Sequence, residues 1–66
     1  MTAPTIPITA ALACINGAIR EEGRKLHNFD RDGDKIRAER CWYAIGVLRA
    51  LRSELLSDAG VKESDL

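Results

Sequence analysis

The stretch 34-DKIRAERCWYAIGVLRALRSELLSDA-59 decides how this chain folds, because it reads as one long helix that is apolar on almost every side. On a wheel of about 100° per residue, Ile36, Tyr43, Ala44, Val47, Leu48, Ala50, Leu51 and Leu55 fill one half. Trp42, Ile45 and Leu56 fall outside that half, leaving Lys35, Glu39, Gly46, Ser53 and Ser57 as a thin polar edge. A helix apolar all round is normally a buried one, and a chain of 66 residues has little else with which to cover it. Cover is therefore expected from outside the chain, from a second copy or from another protein.

A second helix precedes this one. Thr5 is placed to cap it and Pro7 sits in its first turn, where a missing backbone donor costs little. The pattern predicts helix one over about 6–27, with Ile8, Leu12, Ile15, Ile19 and Leu26 as its apolar seam and Glu22 as the one polar residue in the series. Ala11, Cys14 and Ala18 lie beside the seam and are small enough for another helix to approach. Residues 28–33 read as a tight turn, with Asp30, Asp32 and Asp34 suited to the start of helix two over about 34–59. Gly60 stops that helix with Val61 placed for the accompanying apolar contact, and 60–66 forms a frayed tail. The expected fold is all-α: one domain, 1–66, an antiparallel two-helix hairpin.

Folding back near residue 31 sets Leu26 against Ile36, Ile19 against Tyr43, Ile15 against Val47, Leu12 against Ala50 or Leu51, and Ile8 near Leu55. It also sets Glu22 against Arg40, so an ion pair fixing the register is expected there. Gly17 and Gly46 read as close-packing points within the helices. A single core of this size is marginal, so a homodimer forming a four-helix bundle is expected, with Ala11, Cys14, Ala18, Cys41, Ala44, Leu48 and Leu55 at the interface. Trp42, Ile45, Arg49, Arg52 and Leu56 then form a further stripe on helix two, and Trp and Arg are enriched at binding hot spots. That stripe is the expected site for a larger protein partner.

Composition narrows the alternatives. Ten Lys and Arg balance ten Asp and Glu, which argues against docking on nucleic acid or anionic lipid by net charge. No apolar run reaches the roughly 20 residues that span a bilayer, and Met1 to Ile8 does not read as a signal peptide, so a cytoplasmic protein with no membrane partner is expected. Cys14 and Cys41 read as free thiols, separated along the hairpin by too much for an intrachain disulfide. Phe29 to Ile36 opens like an EF-hand loop, but Lys35 occupies the position that needs glycine and no acid follows at the twelfth position, so no metal is expected. His27 is the only histidine and has no nucleophile or carboxylate pair at catalytic spacing; no enzyme activity and no cofactor are expected.

With segments Ile8 to His27 and Asp34 to Ala59 joined by a few residues, the chain resembles the small all-helical proteins with which bacteriophages bind and disable host regulators or defence proteins. The resemblance implies a stand-alone inhibitor or adaptor that acts by stoichiometric binding. The alternative is a homo-oligomeric regulatory protein that binds nucleic acid or a small anion. Arg24, Lys25, Arg31, Lys35 and Arg37 cluster round the turn, and Arg40 with Tyr43 could hold an anion between subunits. The interleaved Asp30, Asp32 and Asp34 cancel much of the turn's field.

Overall fold

The computed structural model describes residues 7–60. Two helices, α1 (Ile8–Arg31) and α2 (Lys35–Asp58), pack side by side as a hairpin. Thr5 and Val61, and with them the cap and the apolar contact expected of them, lie outside the described residues.

At the start of α1 the carbonyl of Pro7 accepts from the backbone N–H groups of Ala10 and Ala11 at 3.0 and 3.1 Å. Pro7 itself stands in extended geometry as the cap residue, with no side-chain cap bond. At the other end α1 runs to Arg31, about four residues past the expected end at His27. The reason lies in Gly33, whose φ of 76° closes the helix. Its N–H donates to the Asp30 carbonyl and the N–H of Asp34 donates to the Phe29 carbonyl at 2.9 Å. Those two bonds are the paired terminal bonds of a Schellman cap, which needs a left-handed residue and therefore favours glycine. Asn28, expected to end the helix, is inside it.

Asp34 starts the next helix from within the same turn. Its Oδ1 accepts from the backbone N–H of Arg37 at 3.2 Å, while its Oδ2 lies 3.5 Å from Arg37 Nε. The Arg37 guanidinium in turn stands 5.8 Å from the centre of the Phe29 ring on α1. A link of only Asp32, Gly33 and Asp34 leaves the helices antiparallel.

The buried residues are Leu12, Ala38, Cys41, Ile45 and Leu56. On α1 the expected seam faces inward, with Ile8, Ile15, Ile19 and Leu26 half-buried round Leu12. On α2 the expected seam does not: Ile36, Tyr43, Val47 and Leu51 are 69%, 77%, 50% and 50% exposed. The pivot sits at Gly33 instead of near residue 31, and the cap at Asp34 sets the first turn of α2 so that the small Ala38 and Cys41 approach α1. Because apolar residues surround α2, hydrophobic periodicity does not resist that rotation. Glu22 and Arg40 border one hollow, as the expected register places them near each other, but no ion pair joins them; Glu22 pairs with Lys25 on its own helix, at 3.5 Å.

The hairpin measures 49 × 30 × 14 Å. Its least dimension is little more than one helix diameter of about 10–12 Å, so both broad sides of the pair face outward. None of the described side chains falls below 2% exposure.

Truncating the centre of this small core should be severe. Ile45→Ala is expected to cost about 2–5 kcal/mol, enough to abolish the cooperative thermal transition followed by circular dichroism. The glycines divide by conformation. A Cβ at Gly23 would meet nothing within 4 Å, so Gly23→Ala should stabilise the helix by up to about 1 kcal/mol. Gly33→Ala should destabilise by about 1–2 kcal/mol because of its positive φ; denaturant titration of the two variants should move the midpoint in opposite directions.

Candidate protein-docking surfaces on helix two

Rotation of α2 distributes its large side chains over two exposed surfaces. The first follows the outward side of the helix and continues into a groove between the helices. Ala18, Glu21 and Glu22 line the groove from α1, and Tyr43, Ala44, Val47 and Leu48 line it from α2. The small residues expected at an oligomer interface are partly gathered here. Ala18, Ala44 and Leu48 lie in the groove, Ala11 and Leu55 are half-buried and Cys14 is exposed. Cys41 is not available for that purpose, because it belongs to the hairpin's own core.

The second surface lies on the opposite flank. Trp42 is two residues from Ala44, about 200° away round the helix, and is 63% exposed. It lines a shallow hollow with Gly46 and Arg49, over the buried side of Ile45. On the turn side the same indole borders a depression that includes Leu26, Lys35 and Ala38. Of the stripe expected to bind a partner, Trp42 and Arg49 therefore stand free at the surface of the hairpin, while Ile45 and Leu56 are the packing beneath it. Arg52 is half-buried, between them in spacing. Ile36, Tyr43, Val47 and Leu51, expected in the seam, are exposed. Gly33 as the terminating residue of helix one could have corrected the register by about one turn, but no signal in the sequence selects the side of α2 that faces α1.

Charge round the turn is largely compensated at short range. Arg24 pairs with Glu21, Lys25 with Glu22, Arg31 with Asp32 at 3.7 Å and Arg37 with Asp34. These exposed pairs contribute little stability, but they reduce the positive field that a phosphate would meet. Arg40 and Tyr43 share a hollow with Ile36, Glu39 and Trp42, where the Glu39 carboxylate opposes an anion. His27 lies one turn inside α1 and is exposed; Arg31 is the basic residue of the last turn. Among the described residues no three His, Cys, Asp or Glu side chains are placed to share a metal ion. No described helix is long and apolar enough to cross a membrane.

One thiol carries a resolved electrostatic signature. Burial pushes the Cys41 thiol above its ordinary pKa, the adjoining Glu22 carboxylate raises it further as hydrogen-bond acceptor and as a charge that disfavours the thiolate, and Lys25 partly opposes them. Cys14 is exposed on α1. No family model matches this chain, and no curated protein or solved structure matches it.

The two cysteines provide a direct check on the rotation of α2. With a soluble disulfide reagent at neutral pH, Cys14 is expected to react at least about tenfold faster than Cys41, whose thiolate is both scarce and covered. The Cys41 rate should go on rising with pH beyond the ordinary thiol range before it levels off. Equal rates in the folded protein would mean that Cys41 does not face α1.

Proposed function

We propose that this chain is a non-enzymatic protein-binding module, a stoichiometric inhibitor or adaptor that works as a self-associated hairpin and engages a larger protein through the Trp42 flank of α2. The observation that carries this reading is the exposure of Trp42 beside Arg49, over a core residue that holds the helix in place. A tryptophan costs little conformational entropy to immobilise and buries a large area, and arginine supplies directional hydrogen bonds at its rim. The complementary surface is an apolar hollow with an acidic or carbonyl-lined edge. In line with the resemblance of the sequence, that surface belongs to a regulator or defence protein of a bacterial host. The paired charges round the turn support a protein target over nucleic acid.

Trp42 is the only tryptophan, so its emission reports on the docking flank and on the hollow that it shares with Tyr43. The free protein is expected to emit in the red, as a hydrated indole does, and to shift to the blue on capture of its partner. Immobilised wild type should retain one bacterial protein in equimolar amount, and Trp42→Ala/Arg49→Ala should lose it while keeping its helical circular dichroism. Equal retention by the two proteins, or none by the wild type, would overturn the docking reading.

A further inference from the structure

Along the outward side of α2, Ile36, Arg40, Tyr43, Val47, Ala50 and Glu54 recur at alternating intervals of four and three, with Leu51 adjoining. All of them are exposed. That spacing is the seam by which one helix pairs with another, yet α1 packs on a different side of α2. The seam also carries an ordered charge pattern: Arg40 lies seven residues before Val47, and Glu54 lies seven residues after it.

We propose that this seam pairs with the same seam of a second copy of the chain, antiparallel, about a two-fold axis beside Val47. The proposal deepens the self-association in the reading above and rests on it; Gly46 and Arg49 of the Trp42 flank stay outside the seam, and Trp42 borders it through the hollow shared with Ile36, Arg40 and Tyr43. About that axis Arg40 of each copy meets Glu54 of the other, Tyr43 meets Leu51, and Val47 meets its own mate, as an isologous contact requires. Parallel pairing would set Arg40 against Arg40 and Glu54 against Glu54. Charge complementarity therefore selects the antiparallel arrangement. The area is adequate as well. Ile36, Tyr43, Val47 and Leu51, with the adjoining Ala44 and Leu48, offer on the order of 600 Å² per copy, against the roughly 800 Å² that each partner gives to a standard interface. The rims of the groove add the remainder.

Sedimentation equilibrium of the full chain tests the proposal through a charge swap at two exposed positions. Wild type is expected to be a dimer. Arg40→Glu and Glu54→Arg should each raise the dimer dissociation constant by about tenfold or more, since each places like charges together at both ends of the seam. The double variant Arg40→Glu/Glu54→Arg should return to within about threefold of wild type. If the monomer does not fold, helicity at fixed concentration should fall in each single variant and recover in the double, so the rescue remains readable. A monomeric wild type at all concentrations, a dimer indifferent to either reversal, or a double variant no tighter than the singles would overturn the antiparallel seam. A monomeric wild type that still captures a protein through Trp42 would overturn the seam alone; a swap-rescued dimer that captures nothing would overturn the docking reading alone.

Discussion

The turn Asp32-Gly33-Asp34 is the constraint on which the rest of the hairpin depends. Gly33 closes α1 through its positive φ, and Asp34 opens α2 through its side-chain bond to the Arg37 backbone. Two helix ends are thus satisfied within three residues, leaving no slack through which α2 could turn about its own axis. Arg37 adds a lateral tie by reaching back to the Phe29 ring. Once the first turn of α2 is fixed, the face that meets α1 is fixed for its whole length, and Ala38, Cys41, Ile45 and Leu56 follow at helical spacing.

That choice has a cost and a consequence. A face built from an alanine, a cysteine, one isoleucine and one leucine buries less apolar area than the Ile36, Tyr43, Val47 and Leu51 side would have done. The hairpin thus holds its largest side chains on the outside, where burial can come only from another molecule. Contiguous exposed apolar surface of this kind marks interaction sites. The helix thus presents three sectors: a narrow side against α1, an exposed outward side with Arg40 and Glu54 at its ends, and the Trp42 flank. Trp42 and Ala44 lie about 200° apart, so the groove and the Arg49 end of the Trp42 flank are on opposite flanks, while Tyr43 links the outward side to the indole through a shared hollow.

Much of the fold was legible in the sequence and the rotation of α2 was not. The helical hairpin, the seam of α1 round Leu12 and the start of α2 at Asp34 follow from period, spacing and capping chemistry. These signals are local, and each has a single physical solution. The face of α2 was misread because its apolar residues surround the axis, so a wheel offers several seams of similar quality. A two-residue displacement of the fold-back point also moves every facing pair by about one helical turn, which changes the register but turns the facing side by only about 40°. Glu22 and Arg40 border one hollow without forming the expected ion pair, and Glu22 instead meets Lys25 and the Cys41 thiol. Gly33 held the missing register as a helix terminator, while Asn28 offered a competing end that α1 runs past.

Marginal core and apolar exterior also bear on one another energetically. Whatever binds the folded hairpin and not the unfolded chain adds to its stability in proportion to the logarithm of concentration. With five buried residues and none fully enclosed among those described, the isolated hairpin has a small core, and the association proposed above would add to its stability. Local defects in the helices are tolerable on the same ground: Gly17, Gly23 and Gly46 each weaken the isolated helix, and a Cβ at any of them would meet nothing within 4 Å. Nothing within this hairpin packs closely on Gly17 or Gly46.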